Sequence, residues 1–554
     1  MSRATFAGLV RSFRATQRSF HHHSITEQES ILLALTSMPL GTVTAVMLYH
    51  EALLYSVAYP GSSSIHTLAE IELQRIALHV STRKGLELLR YENSTIAGSR
   101  VKAPFSLTLN KWLVERFPSD TQLTADGVNE SVLVQTLATL FDPVEQEMLH
   151  AGKTAWTYWS EHMTGAGRNK HQMKRWIVEM TDRLPGSSAM KEFIFGQFST
   201  TTLWSTQTSA PTLTSGRAGH GAPYIHTQGL QRSVDLSAQL HSKPRRVELT
   251  PQQQVHLVDV ARGVLASMQR ETDPVTYAHI RETEYYSMGR GLGIALYAMK
   301  PDMKMAVQSY IGFMAFKNDV PCAYGGAWIL NNESFFGVNV FPAFRGGESS
   351  LIVAELLRLY HHAFNVQAFC VDPYQIGYGN ADGLKSRSFW FYYRLGFRPV
   401  EKDLARLARA EYKRIASIDG YNSPMSVLQE LAGATMRWVY KAVDVGIPPT
   451  ADRLGDLVTK HVNARFGGDR QAALREAMRM FSARTRKRFT VKHSVARVVV
   501  LLHASGYLEH ATPARLLSFA KDYQLKSAGE REYVLRSQRH RALFDALGAA
   551  ERSL

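Results

Sequence analysis

The chain has 554 residues, 45% hydrophobic and 20% charged, a composition that excludes a disordered, collagen-like or wholly membrane-embedded protein. Its length predicts about two to four domains, and its two cysteines, Cys322 and Cys370, exclude a disulfide scaffold or a cysteine-rich zinc module. The 64 basic and 48 acidic residues give a net charge of +16, which favours anionic partners such as nucleic acid, lipid, phosphorylated cofactors or acidic carrier proteins.

The N-terminal residues 1–26 contain four arginines and no acidic residue. This pattern predicts a basic flexible N-terminus in a cytoplasmic protein, with an organellar presequence as the alternative. The uncharged stretch 31–49 is long enough to cross a membrane. Pro39 and Gly41 interrupt it, however, so we predict two short helices, the second over 45–58, and no transmembrane span.

The next part of the chain divides by composition. Residues 27–204 alternate helical periodicity with turn signals and predict a helical N-terminal domain. Residues 205–249 are predicted as a linker, because much of this stretch is rich in Ser, Thr, Gly and Pro. Thr250 and Pro251 then provide an N-cap and a proline at the first helical position, which predicts a helix over about 251–270.

Residues 250–400 are predicted to form an α/β domain, of the α+β type, with a mixed sheet flanked by helices. Asn318-Asp319 is a hairpin turn signal, and the periodicity of 349–364 predicts one long helix. Short runs rich in aromatic and β-branched residues predict strands at 293–299, 309–316, 323–330, 335–341 and 366–371. Helical patterns return over 401–554, which we predict to be a basic helical C-terminal domain.

The stretch 335–400 carries the pattern most informative about chemistry. A predicted strand is followed by the turn Arg345-Gly346-Gly347 and by a helix that begins at Ser349. A glycine-rich turn between a strand and a helix N-terminus directs several backbone N–H groups, and the positive end of the helix, at one point. The sequence therefore predicts a site for a phosphate or pyrophosphate at this turn.

This arrangement resembles the GNAT superfamily of N-acyltransferases over about residues 250–400. The turn Pro342-Ala-Phe-Arg-Gly346 and the segment Phe391-Tyr-Tyr-Arg-Leu-Gly-Phe397 match the family's pyrophosphate turn and final helix. The resemblance implies a GNAT-like mixed sheet. It also implies direct transfer of an acyl group from acetyl-CoA, another acyl-CoA or a phosphopantetheine carrier to an amine acceptor, with no metal.

The resemblance also implies roles for individual residues. Tyr392 would protonate the leaving thiolate, and Glu333 or Asp372 would accept a proton from the amine. Each has a purely structural alternative, a core aromatic ring for Tyr392 and solvated strand ends for the carboxylates. The donor-binding residues would be Val338, Asn339, Val340, Phe341, Arg345, Gly346, Gly347, Ser349, Ser350 and Asn380, the last of which is also suited to capping a turn.

The sequence departs from the family where small residues are expected, at Glu348 and Ser350. A carboxylate beside a pyrophosphate is unfavourable unless it points away or meets a cation such as Arg345. Three alternatives follow: CoA in an altered loop, another phosphopantetheine carrier, or no donor. In the last case the chain would be a catalytically inactive binding module whose helical flanks bind a protein or nucleic acid.

Two further features concern glycine and charge. The glycine-rich run 289–293 lacks a following helix and is predicted not to bind phosphate. Residues 401–554 contain 27 basic and 16 acidic residues, with the densest basic cluster over 484–492. This cluster predicts a docking surface for an acidic carrier protein. Nucleic acid is the less favoured partner, because no helix-turn-helix or zinc signature is present.

Overall fold

The structure, a computed structural model, describes residues 5–124, 129–153, 155, 158–159, 170–440 and 449–553. It contains two sheets surrounded by helices. The strands are β1 (Arg100–Ala103), β2 (Thr121–Thr124), β3 (Thr201–Ser205), β4 (Arg245–Val247), β5 (Glu284–Gly289), β6 (Leu292–Tyr297), β7 (Ser309–Lys317), β8 (Val320–Leu330), β9 (Glu333–Val340), β10 (Ala368–Val371), β11 (Arg398–Pro399) and β12 (Met436–Val439).

The helices before the large sheet are Phe6–Thr16, His22–Thr36, Val43–Ala58, Ser63–Ser81, Gly85–Leu89, Leu107–Arg116, Glu130–Ala138, Pro143–His150, Lys170–Arg183, Ser188–Gln197, Leu236–Gln239, Pro251–Ser267, Asp273–Thr276 and the short 3₁₀ turn Ile280–Glu282. The later ones are the 3₁₀ turn Pro342–Phe344, then Ser349–Phe364, Pro373–Ile376, Ala381–Lys385, Ser388–Arg394, Lys402–Ser417, Met425–Leu431, Ala451–Phe466, Arg470–Thr485, the 3₁₀ turn Ser494–Arg497, Val499–Ala504, Tyr507–His510, Pro513–Ala528, Glu530–Ser537 and Arg541–Arg552.

The N-terminal segment packs onto the molecule instead of forming a flexible tail. Thr5 caps the helix Phe6–Thr16, and Phe6, Val10 and Phe13 are buried on one of its faces. The next apolar helix, Val43–Ala58, agrees with the helix predicted over 45–58. Among the described residues, no helix is both long and apolar enough to cross a bilayer.

The region 27–204 is mainly helical, as predicted, but it also contains an unpredicted three-stranded antiparallel sheet in the order β1-β3-β2. Its strands have only four or five residues each, and β3 follows its partners by about a hundred residues. Such short segments carry too few alternating positions for periodicity to identify them. Trp204 of β3 packs against Trp112 of the helix Leu107–Arg116, with ring centroids 6.1 Å apart.

The large sheet has nine strands in the order β11-β12-β10-β9-β8-β7-β6-β5-β4. The predicted hairpin is confirmed: Asn318 and Asp319 both have positive φ, as a tight turn between β7 and β8 requires. The helix Ser349–Phe364 has the predicted bounds and buries most of its length. Only β9 and β10 run parallel to each other, because this helix carries the chain back across the sheet.

The large sheet and its core extend beyond 250–400. Strand β12 lies between β10 and β11, and β4 covers the opposite edge, so residues of the predicted C-terminal domain and linker complete the sheet. One hydrophobic cluster contains buried residues from Phe6 near one end of the chain to Leu547 near the other, whereas those between Val101 and Ala210 form two separate, smaller clusters. The limits predicted at 250 and 400 therefore do not separate independent cores, since the edges of a sheet are stabilised by whatever strand pairs with them.

Candidate functional site: the cleft between β9 and β10

The parallel strands β9 and β10 separate soon after they meet. Their register contains three pairs, the last being Cys370 opposite Phe335, whereas β9 continues to Val340. Beyond Val371 the chain turns away at Asp372-Pro373. There the Asp372 carboxylate accepts a hydrogen bond from the Tyr374 N–H at 2.8 Å and caps the short helix Pro373–Ile376. A gap consequently opens along the outer edge of β9.

The backbone of β9 presents unpaired polar groups to this gap. The N–H of Phe341 donates to the carbonyl of Cys322 on β8 at 3.0 Å. Because hydrogen-bonded and non-hydrogen-bonded pairs alternate along antiparallel strands, the N–H and C=O groups of Val338 and Val340 point away from β8. The carbonyl of Val340 lies 3.5 Å from Nε of Arg345, which agrees with this direction.

The gap forms a cavity of about 530 Å³, which we call the splay cleft. Eight of the residues predicted to be functional line it: Val338, Asn339, Val340, Phe341, Arg345, Ser349, Asn380 and Tyr392. The other lining residues are Arg270, Tyr324, Pro342, Val353, Tyr374, Gln375, Asp382, Gly383, Ser386, Ser388 and Phe391. The cleft therefore contains the open edge of β9, the glycine turn and the predicted final helix.

At the turn, Gly346 adopts a positive φ of 84° and leads into the helix that begins at Ser349. Among the described residues, none accepts a hydrogen bond from the N–H of Ser349 or Ser350, as expected for the first turn of a helix. Arg345 is exposed on the cleft. Gly346, Gly347 and Ser350 do not line the cleft. A Cβ placed on Gly347 would lie 2.7 Å from the ring of Tyr59, so Gly347 packs directly against that ring.

Glu348 points away from the splay cleft. Its carboxylate is buried and accepts hydrogen bonds from Lys317 at 2.6 Å, from Arg290 at 2.7 Å and from the N–H of Gln231 at 2.8 Å. Burial raises its pKa, but the two cations and these hydrogen bonds outweigh that effect and hold the pKa below its ordinary value. The partner is therefore not Arg345. Arg290 comes from the glycine-rich run 289–293, which is the β5–β6 turn.

Tyr392 lies on the helix Ser388–Arg394, buried against Phe336 and Phe397 at centroid distances of 6.1 and 5.6 Å. Its ring lines the splay cleft, and its hydroxyl has no hydrogen-bond partner among the described residues. A tyrosine hydroxyl is protonated at neutral pH, and burial raises the pKa of Tyr392 further. Tyr392 thus brings a neutral hydroxyl group to the wall of the cleft.

The two predicted carboxylates lie in different surroundings. Glu333 is buried where β9 and β10 are still paired, does not line the cleft, and bonds to Arg437 at 2.6 Å. Burial raises the pKa of Glu333 to about 7, although Arg437 acts in the opposite direction. Asp372 is exposed and lines an adjoining cavity. Asn380 both lines the cleft and caps the helix Ala381–Lys385 through the N–H of Gly383.

The adjoining cavity, which we call the inner cavity, has a volume of about 290 Å³. It shares Tyr374 and Gln375 with the splay cleft. Its other lining residues are Gln308, Trp328, Phe335, Phe336, Gly337, Asp372, Thr450 and Ala451. Sequence reasoning did not predict this cavity, since its walls come from parts of the chain more than a hundred residues apart.

Two arginines near the splay cleft were also not predicted. Arg270 lines it and donates to the hydroxyl of Tyr324 at 2.5 Å. Arg18, from the N-terminal segment, donates through Nη2 to the carbonyl of Arg345 at 3.0 Å and lies beside Gly346. Together with Arg345 they make the surroundings of the turn positive, which suits an anionic ligand.

The predicted basic cluster lies at the end of the helix Arg470–Thr485. Arg486, Lys487, Arg488 and Lys492 are exposed, whereas Arg484 donates to the carbonyl of Ala511 at 2.6 Å. Within the described ranges, no group of three or more His, Cys, Asp or Glu side chains is arranged to hold a metal ion.

The chain matches no protein-family model, no curated protein and no solved structure. Interpretation of the site therefore depends on its geometry and chemistry.

Proposed function

We propose that this protein is a GNAT-like acyltransferase that moves an acyl group from acyl-CoA, or from a related phosphopantetheine thioester, to an amine. The observation that carries the proposal is the separation of β9 and β10 after three residue pairs. This separation leaves a cleft bounded by unpaired backbone groups, a glycine turn and an unpartnered tyrosine hydroxyl.

The donor would bind along the open edge of β9. The N–H and C=O groups of Val338 and the N–H of Val340, which have no partner among the described residues, are placed to pair with the amide groups of a pantetheine arm, as a further strand would. The Val340 carbonyl already accepts a hydrogen bond from Nε of Arg345. At one end of the edge, the exposed Arg345, the neighbouring Arg18 and the first N–H groups of the helix from Ser349 are suited to a pyrophosphate.

The orientation of Glu348 favours a functional donor site over a degenerate one. Its carboxylate is bound by Lys317 and Arg290 outside the cleft, so it does not oppose a pyrophosphate at the turn. Glu348, which stands where the family has a small residue, thus anchors the turn on the side away from the cleft. The N–H groups of Ser349 and Ser350 remain available to a ligand.

Two bond changes and two proton transfers complete the reaction. The amine nitrogen attacks the thioester carbon and forms the C–N bond, and the C–S bond then breaks. The thiolate takes a proton from the hydroxyl of Tyr392, which lines the cleft. The amine proton passes to Asp372, the exposed carboxylate beside Tyr374 and Gln375, directly or through water. Glu333, held by Arg437, is assigned a structural role.

Titration calorimetry with CoA, acetyl-CoA and a longer acyl-CoA tests donor binding. We expect binding that Arg345→Ala weakens, whereas Arg394→Ala, an exposed arginine outside the cleft, leaves it unchanged. A folded sample that binds none of the three ligands would reject the proposal in favour of the non-catalytic binding module. Binding without release of free thiol in the presence of amines would favour the same alternative.

A protein partner is proposed for the exposed basic cluster formed by Arg486, Lys487, Arg488 and Lys492. We propose that it docks an acidic carrier protein that presents the acyl-phosphopantetheine group. Carrier-loaded acyl groups should then be transferred faster than the same acyl-CoA, and the advantage should decrease with salt, because exposed charge pairs are screened.

A further inference from the structure

The splay cleft and the inner cavity adjoin at the open edge of β9, and each is lined by residues from both faces of the large sheet. Successive side chains of a strand point to opposite faces. Phe336 contacts Tyr392 on one face, so Phe335 and Gly337 point to the other. There Phe335 stands opposite Trp328 in the β8–β9 register, and both rings line the inner cavity. The open edge of β9 is the route from one face to the other.

The two cavities share Tyr374 and Gln375 as lining residues, and Gln375 stands over Gly337 at this edge. Gly337 has no side chain, and a Cβ there would lie 3.0 Å from Nε2 of Gln375. The amide of Gln375 therefore occupies the space over Gly337, and among the described residues it has no hydrogen-bond partner that would hold it there. Rotation of Gln375 joins the splay cleft to the inner cavity.

The inner cavity continues into a third, which has a volume of about 390 Å³ and which we call the distal cavity. The two share Gln308 and Ala451. The rest of the distal cavity is mostly apolar, with walls from the segment 305–307, the helix Ala451–Phe466 and residues 497–501, including Leu454, Val458, Val498 and Leu501. The three cavities thus form a series that is polar at the glycine turn and apolar at its far end.

We propose that the inner and distal cavities hold the acyl chain of the donor, and that this chain is a medium or long fatty acyl group. The inference rests on the proposed function, because it starts from a thioester placed near Tyr392. The chain would pass Gly337, displace the side chain of Gln375, and lie against Phe335 and Trp328 before it reaches the helix Ala451–Phe466.

The chemistry of the walls favours an acyl chain over an amine acceptor as the occupant. Asp372, the one carboxylate among the described lining residues of the two cavities, is exposed, so an attacking amine can reach it from solvent without occupying the cavities. Apart from Gln308, Gln375, Thr450, Thr459 and Arg497, the other lining residues are aromatic, aliphatic or glycine, and such surfaces stabilise methylene groups. Transfer itself is unchanged: the C–N bond forms, the C–S bond breaks, and the fatty amide leaves with the free thiol.

Calorimetry on the full chain tests the proposal with acetyl-CoA, octanoyl-CoA and decanoyl-CoA. Burial of each methylene is worth about fourfold in affinity when complete, so we expect octanoyl-CoA to bind at least about tenfold more tightly than acetyl-CoA. Equal affinities for all three would overturn the acyl-chain site and leave the donor site in place. Failure of all three, and of CoA, to bind would overturn the proposed function and this inference together.

Ala451 allows the position of the chain to be tested, because it is exposed, begins its helix and lines both apolar cavities. Ala451→Trp should remove most of the increase in affinity from octanoyl-CoA to decanoyl-CoA and leave the affinity for acetyl-CoA unchanged. Asp456→Trp, an exposed position on the same helix that lines neither cavity, should keep the gain. If Ala451→Trp does not fold, Gly455→Trp, at an exposed position that lines the distal cavity and not the splay cleft, should give the same selective loss. If the folded variant still binds decanoyl-CoA more tightly than octanoyl-CoA, as the parent protein does, the acyl chain lies elsewhere and the proposal is overturned.

Discussion

Oε2 of Glu348 lies 2.6 Å from Nζ of Lys317, and only 1% of either side chain is exposed. The pair joins the first residue before the helix Ser349–Phe364 to the end of β7, beside the β7–β8 hairpin. Arg290 adds a third charge from the β5–β6 turn. The turn that would hold a donor's phosphates is thus fixed from the interior of the protein.

Loss of this carboxylate should destabilise the protein strongly. Glu348→Ala leaves Lys317 buried without its partner, and we expect the free energy of unfolding to fall by about 3–5 kcal/mol. Asp403→Ala is the matched control, because Asp403 and Arg406 form an exposed pair worth less than about 1 kcal/mol. Urea titration followed by circular dichroism measures both. Equal, small losses would contradict the role given to Glu348.

Removal of the Tyr392 hydroxyl should slow thiol release with little change in folding. Tyr392→Phe keeps the buried ring, and general acid catalysis of this kind contributes about 10²-fold or more. Tyr393→Phe is the control, since Tyr393 is also buried but packs against Arg398 outside the cleft. Release of free thiol under saturating donor is the measurement. Equal rates for the two variants would assign Tyr392 to packing alone.

Arg18 should contribute to donor affinity although it lies more than three hundred residues from the turn. Because its side chain is exposed, we expect Arg18→Ala to weaken CoA binding by only a few-fold, and the loss should shrink at high salt. Arg11→Ala removes the same charge from an exposed position on the preceding helix Phe6–Thr16 and should have a smaller effect. Calorimetry at two salt concentrations compares them, and identical behaviour of both variants would remove Arg18 from the site.

Glu333 should make stability depend on pH. Burial raises its pKa in the folded protein to about 7, above the ordinary value of 4.5, so folding is favoured by a proton on this carboxyl. The contribution is complete below about pH 4.5 and is lost as the pH rises through 7. Glu333→Gln should therefore gain stability relative to the parent protein between pH 5 and pH 8, by up to about 3 kcal/mol at 1.4 kcal/mol per pKa unit. A difference that is constant over this interval would contradict the assignment.

Local patterns predicted the elements whose signals lie within a few residues. The helix Ser349–Phe364 and the Asn318-Asp319 hairpin are confirmed, because an apolar helical face and a tight turn are encoded locally. Strand β12 was not predicted. Its residues are mostly half-buried, and its place between β10 and β11 is set by pairing partners elsewhere in the chain.

The same distinction applies to the site. The edge of β9, the turn and Tyr392 were predicted to belong together, and the structure brings them to one cleft. The direction of Glu348 was left open, because its partners Lys317 and Arg290 lie 31 and 58 residues away along the chain. Arg18 and Gln375 carry no local signal of any kind, since only tertiary packing puts them beside Gly346 and Gly337.

Strand β12 has a consequence for the order in which the protein can fold during synthesis. It covers the outer edge of β10 through four residue pairs, from Ala368 opposite Val439 to Val371 opposite Met436. At about 5–20 residues per second, the ribosome delivers β12 several seconds after β10. During that interval β10 presents an open edge, which can pair with strands of other nascent chains until β12 covers it.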